Sequence, residues 1–236
     1  MKKLILGATG SIGSSLAKKV VADGGEVHLV GREETALSAL ASELNSTFTT
    51  CDVLEESFAD KIFNDLGDTP INGLAYCVGS IDLKPIKMTK KSDYMQSFNL
   101  NLISAIEVIR KFSDNLKQNK GSIVLFSTVA VRRGFTNHSI IASVKGALEG
   151  LTVSLAAEFA PNIRVNCIAP SLTKSKIAEP MLKNKLIADG IAKAHPMKRI
   201  GEGKDAAAMA KFLLTDESSW ITGQIIGVDG GRSKLT

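Results

Sequence analysis

A chain of 236 residues that is 44% hydrophobic and 22% charged has the make-up of a soluble globular protein with enough apolar material for one large core. Its formal charge of +5 is spread along the chain without a basic or aromatic cluster, which argues against a nucleic-acid partner. The three cysteines, Cys51, Cys77 and Cys167, show no CxxC spacing and have no histidines beside them, so neither a disulfide frame nor a bound metal is expected.

In chain order, the opening "MKKLILGATG" starts like a signal peptide, but its apolar run ends at a glycine after three residues. No other stretch reads as a membrane span, and a cytoplasmic protein with reduced thiols is expected. Short apolar runs bounded by Gly, Asp or Pro then alternate with segments of helical period. "KLILG" (2–7), "EVHLVG" (26–31), "STFTTCD" (46–52), "NGLAYCVG" (72–79), "GSIVLFS" (121–127), "NIRVNCIAP" (162–170) and "QIIGVDGG" (224–231) read as about seven strands. Helical stretches lie between them, among them Ile12–Ala22, Glu33–Leu44 and Leu102–Leu116. The last carries Ile103, Ile106, Ile109, Phe112 and Leu116 along one stripe. This rhythm predicts a single α/β domain over residues 1–236, a doubly wound Rossmann sheet of about seven parallel strands covered by helices on both faces. The segment from about 171 to 202 departs from it, being long, lysine-rich and interrupted at Pro180 and Pro196, and reads as a lid.

Ligands of such sheets bind beyond the carboxyl ends of the strands. The first strand-to-helix turn is "GATGSIG", Gly7 to Gly13, with Thr9, Gly10, Ser11 and Ile12 between. Glycines there permit a tight turn and close approach of a pyrophosphate to the helix N-terminus, which predicts dinucleotide binding. At the end of the second strand stand Gly31 and Arg32 instead of a carboxylate, which favours NADP over NAD. The alternative pairs Arg32 with Glu33 or Glu34 as a solvated residue. Asp52 ends the third strand, either to contact an adenine amino group or to cap the next helix.

Together these elements resemble the short-chain dehydrogenase/reductase superfamily from Lys2 to Gly231. "GATGSIG" is similar to its Gly-rich turn with Ser11 for the middle glycine, and "CDV" (51–53), with Val53, to its adenine-contacting element. "VNCIAPS" (165–171), with Pro170, resembles the strand beside the nicotinamide, and "ITGQIIGVDGG" (221–231) the C-terminal strand. After the fourth strand the family's Asn–Asn–Ala–Gly is here "YCVG", of which only Gly79 matches.

The resemblance implies a catalytic set of Asn, Ser, Tyr and Lys. Asn101 fits the first position, with Asn99 a rival by register. Thr128 fits the serine position, thirteen residues before the tyrosine site, with Ser127 beside it. Lys145 fits the lysine that clamps the nicotinamide ribose. Ser175, with Thr173 nearby, stands where a threonine touches the carboxamide. The tyrosine position, four residues before Lys145, is Ile141, which can neither give nor take a proton. General acid–base catalysis contributes about 10²–10⁴-fold, so a substitute is needed or the chemistry is lost. Enoyl reductases of the same superfamily place their tyrosine seven residues before the lysine, where this chain has His138 after Asn137. With Ser139 as N-cap, His138 would belong to the loop before the helix. A histidine, with an ordinary pKa of about 6.5, is a competent proton donor there.

Lys174, Lys176, Lys183, Lys185, Lys193, Lys198 and Arg199, with Arg132 and Arg133, would favour an anionic small-molecule substrate if they faced the cleft. The alternative is a solvated surface. Two functions stay open: an NADP-dependent reductase of a carbonyl or enoyl substrate, and a non-catalytic NADP-binding protein serving as a sensor or partner subunit. The apolar helices Ile103–Leu116 and Ile140–Phe159 point to a homotetramer or homodimer.

Overall fold

Each of the seven runs becomes a strand; the inner strands are buried on both faces, which is why they read as continuous rather than alternating apolar runs, whereas the two edge strands are only partly buried. The structure is a computed structural model that describes residues 1–235. Strands β1 (Lys2–Leu6), β2 (Glu26–Gly31), β3 (Thr47–Thr50), β4 (Ile71–Tyr76), β5 (Ser122–Phe126), β6 (Arg164–Pro170) and β7 (Ile225–Val228) form one sheet. Their order is β3–β2–β1–β4–β5–β6–β7, with every pairing parallel. The order reverses between β1 and β4, so the carboxyl ends of these strands open the crevice where a ligand of such a sheet lies.

Helices α1 (Ser11–Ala22), α2 (Glu34–Glu43) and α9 (Gly203–Leu213) cover one face through Leu16, Val20, Leu37, Ala206 and Leu213. Helices α3 (Phe58–Leu66), α5 (Ser104–Gln118) and α6 (Ser139–Phe159) cover the other through Phe58, Ile62, Phe112, Leu116 and Leu148. The stripe of α5 is therefore largely spent on its own core: Ile109, Phe112 and Leu116 are buried, while Ile103 at its head is exposed. By length and composition α6 could cross a membrane, contrary to the expectation from sequence. Its apolar content is explained by Ile140, Val144 and Leu148, which are buried within the protein.

Several boundaries differ from those read in the sequence. β4 stops at Tyr76, and the chain beyond it leaves the sheet toward Asn101. β7 stops at Val228 because Asp229 turns the chain, its carboxylate accepting from the amides of Gly231 and Ser233 at 2.9 Å each. Helix α5 is preceded by α4 (Lys91–Phe98), and the two are joined by a π-helical turn, Asn99–Ile103. The segment 171–202 is not irregular: it holds a 3₁₀ turn (Lys176–Ala178), α7 (Glu179–Leu182) and α8 (Lys185–Lys193). Pro180 does not interrupt it but lies in the first turn of α7, where the missing N–H has no helical partner to lose. Asn184 caps α8, its Oδ1 accepting from Leu186 N at 2.9 Å and Ile187 N at 3.3 Å.

Candidate active site

The carboxyl ends of β1, β2, β4, β5 and β6 and the segment after β6 surround a cleft of about 900 Å³. Its floor at one end is the Gly-rich turn. Gly7 has φ 72°, and a Cβ there would come within 2.9 Å of the Cys77 backbone. A Cβ on Gly13 would overlap the Gly7 carbonyl oxygen. The turn thus leaves backbone where side chains would stand, with the first amides of α1 above it, which fits an anionic diphosphate. Gly203, at the start of α9, packs on this turn so closely that a Cβ would overlap the Ser11 carbonyl. The sequence reading did not single it out, since its role depends on what α9 touches.

Thr9, Gly10, Ser11 and Ile12 line the same end of the cleft, as do Arg32, Asp52 and Val53. Arg32 is exposed and lies 3.6 Å from Asp52, not paired with Glu33 or Glu34. Asp52 does not cap a helix: α3 begins only at Phe58, and Asp52 Oδ1 accepts from Leu54 N at 3.0 Å to close a turn.

Two of the residues expected to act together, Asn101 and Lys145, converge at Gly79. A Cβ there would lie 3.1 Å from Asn101 Oδ1 and 3.4 Å from Lys145 Nζ. The π-helical turn decides between the two asparagines, because its extra residue turns Asn101 inward to full burial and leaves Asn99 exposed. Asn101 Nδ2 donates to Ser97 O at 2.9 Å and to Ser80 Oγ at 3.2 Å, and Ser80 N donates to its Oδ1 at 3.4 Å. Ser80, which no sequence signal singled out, thus ties the loop after β4 to the π-turn, just beyond the "YCVG" stretch in which only Gly79 matches the family.

Lys145 is buried, lines the cleft and is held at a pKa of about 8, well below its ordinary 10.5, because burial disfavours the ammonium. Opposing influences from Cys167 and Cys77 are smaller, and burial pushes both thiols up, Cys167 to about 12. Thr128 lines the cleft and its Oγ1 accepts from Ala130 N at 3.3 Å. Its neighbour Ser127 also borders the cleft, but its hydroxyl is spent on Glu149 Oε1, to which it donates at 2.8 Å.

Ile141 is 5% exposed and forms cleft wall one turn before Lys145. Neither of the chain's two tyrosines lines the cleft. Tyr76 is buried and donates to Leu100 O at 2.7 Å, and Tyr94 donates to Ser139 Oγ at 3.1 Å. Helix α6 begins at Ser139 with His138, not Ser139, at the cap position. His138 therefore lies just outside the helix and lines the cleft. Its Nδ1 donates to Thr136 O at 2.7 Å, and its ring lies 5.3 Å from that of Phe135.

At the far end, Pro170 and Ser175 line the cleft together with the apolar Ile177, Met181, Ile187 and Ile191. Ser175 Oγ accepts from Ala178 N at 3.3 Å, capping the 3₁₀ turn. His195, also missed in the sequence, is buried here; Nδ1 donates to Ile191 O at 2.7 Å and Nε2 accepts from Ser171 Oγ at 2.8 Å.

Most cations of the 171–202 segment do not face the cleft, because carboxylates hold them at the surface. Lys174 pairs with Glu202, Lys183 with Glu179, Lys185 with Asp189 and Arg199 with Asp205. Among the described residues, Lys176 is the one lysine of that segment lining the cleft, and Arg232 joins it from the C-terminal side.

The family model described as enoyl-(acyl carrier protein) reductase matches residues 7–233. A tropinone reductase homolog of Arabidopsis thaliana is 32% identical over 238 residues, covering 97% of this chain and 90% of its own. L-xylulose reductase of Bos taurus is 32% identical over 234 residues, covering 98% and 95%. Among solved structures, a short-chain type dehydrogenase/reductase from Mycobacterium ulcerans superposes with a TM-score of 0.91 at 26% identity, covering 98% of this chain and 89% of that one. A tyrosine-to-phenylalanine variant of ElxO with NADPH bound gives a TM-score of 0.88 at 26% identity, covering 98% and 99%.

Proposed function

The chain belongs to the short-chain dehydrogenase/reductase family of NAD(P)-dependent oxidoreductases, and on that premise we propose that it is an NADP-preferring reductase of a carbonyl or enoyl substrate that works without the usual tyrosine. The observation that carries this reading is the convergence of Asn101 and the buried Lys145 at Gly79, in one cleft with Thr128, His138 and the Gly-rich turn.

The turn Gly7–Gly13 and the N-terminus of α1 would hold the pyrophosphate, Arg32 the 2′-phosphate, and Asp52 and Val53 the adenine. Lys145 would hold the ribose hydroxyls beside Gly79, and Pro170 and Ser175 the carboxamide. Bound there, the nicotinamide supplies a hydride. Thr128 offers its hydroxyl to the substrate oxygen. Ile141 offers nothing to a developing oxyanion, so the proton falls to His138. Since Nδ1–H is donated to Thr136 O, the proton it delivers is the one on Nε2 of the imidazolium. Lys176 and Arg232 at the far end favour an anionic substrate, and the 171–202 segment serves as its lid. We place the protein in the cytoplasm and take it to be a homotetramer or homodimer; the exposure of Ile103, in the turn before α5, and of Val153 on α6 supports the assembly.

Titration of the protein with NADPH and NADH should give tighter binding of NADPH, with the preference lost in Arg32→Ala. NADPH should be consumed in the presence of a ketone or an enoyl thioester, and His138→Phe should abolish consumption while leaving NADPH affinity intact. Equal affinity for the two nucleotides would refute the cofactor assignment. Bound NADPH that survives every carbonyl and enoyl compound would instead favour a non-catalytic NADP-binding protein, the reading that the apolar Ile141 supports.

A further inference from the structure

The connection between β5 and α6 holds a buried carboxylate with no part in the reading above. Glu149 lies one turn beyond Lys145 on α6 and is 9% exposed. Ser127 Oγ donates to its Oε1 at 2.8 Å and shares that hydroxyl with the Lys145 carbonyl at 3.5 Å. Arg132 Nε donates to Oε2 at 3.3 Å. Burying a carboxylate is costly unless both oxygens are satisfied, and here both are, by one loop.

Ser127 and Arg132 stand on either side of Thr128 and the 3₁₀ turn Val129–Val131. The Ser127 backbone is fixed to β6, its amide donating to Ile168 O at 2.7 Å, so the hydroxyl is its link to α6. The carboxylate thus holds both ends of the loop that carries Thr128 against the helix that carries Lys145.

We infer that Glu149 is a positioning residue, which sets the place of the Thr128 hydroxyl relative to Lys145 by clamping the Ser127–Arg132 loop to α6. The inference rests on reading Thr128 as the hydroxyl that meets the substrate oxygen. Of the two anchors the Ser127 bond dominates, being short and buried, whereas the Arg132 side chain is half exposed and its pairing is open to water.

The test is the methyl spectrum of threonine-labelled full-length protein. Glu149→Leu and Ser127→Ala are expected to shift and broaden the Thr128 methyl while those of Thr9 and Thr173, elsewhere in the cleft, stay in place. Glu149→Gln keeps a carbonyl oxygen for Ser127 and is expected to superimpose on the wild type, as is Arg132→Gln. NADPH affinity should be unchanged in all four variants. In any background that turns over a carbonyl, Glu149→Leu lowers kcat by up to about 10²-fold, the scale of a misplacement of about 1 Å, with KM for NADPH unchanged. An unmoved Thr128 methyl in Glu149→Leu overturns the clamp, as does a shift that carries Thr9 and Thr173 with it and weakens NADPH binding. A confined Thr128 shift in a protein that reduces nothing upholds the clamp and overturns the reductase reading.

Discussion

Replacing Lys145 by methionine separates what the residue costs the fold from what it does for the cofactor. Lys145 is buried and its pKa falls from 10.5 to about 8, chiefly through desolvation. At about 1.4 kcal/mol per pH unit, holding its ammonium in the cofactor-free protein costs at most about 3 kcal/mol below pH 8. Because the folded pKa lies below the unfolded one, the unfolded chain binds more protons between about pH 8 and 10.5, and stability rises with pH through that window. Lys145→Met, similar in volume and uncharged, should therefore stabilise the cofactor-free protein at pH 7 by up to about 3 kcal/mol, or roughly 6–12 °C in Tm for a chain of this size. The advantage should shrink as pH approaches 10.5. With NADPH the gap should close: a ligand at about 100 times its Kd stabilises the wild type by about 2.7 kcal/mol, close to the variant's advantage, and the variant loses most of that gain with the ribose clamp. Thermal unfolding of both proteins at pH 7 and pH 10, with and without NADPH, measures each part. A variant less stable than the wild type without cofactor, by the same margin at both pH values, would show that the ammonium is well satisfied and refute the reasoning.

Ile141→Tyr places a phenol one turn from Lys145, and the variant should gain reduction of simple ketones; the same gain from a wild type silent toward every carbonyl and enoyl compound would mark the natural protein as non-catalytic. His28 is buried between Thr47 Oγ1 and Thr49 Oγ1, at 2.8 and 3.0 Å, and burial lowers its pKa to about 4. The unfolded chain takes up that proton first, so stability should fall by up to about 3 kcal/mol as pH drops from 6.5 toward 4. Urea midpoints across this range should lose most of that slope in His28→Gln, and an unchanged slope would mean that other groups drive the acid sensitivity.

The middle of the sheet was legible because the inner strands of a parallel, doubly covered sheet are apolar nearly throughout, so "SIVLF" announces itself without reference to its neighbours. The Gly-rich turn was legible for the same local reason: Gly7 needs its positive φ whatever packs elsewhere. Asn101 and Asn99 were not separable, because one residue of π-turn reverses which of the two faces inward and no propensity announces that turn. The cations of residues 171–202 looked like a lining because sequence shows their number but not their partners; Asp189, Glu202 and Asp205 neutralise them at the surface. Glu149 and Ser127 stand 22 residues apart across a strand–loop–helix connection, a separation that no periodicity rule joins.

The contact between Gly203 and Ser11 has a consequence for the timing of synthesis. The turn that opens the cleft leans on a surface that begins at residue 203, about 190 residues further along the chain. Chains emerge at roughly 5–20 residues per second, so the turn waits roughly ten seconds or more for its support. The pocket floor has its backing only once α9 has docked on the turn.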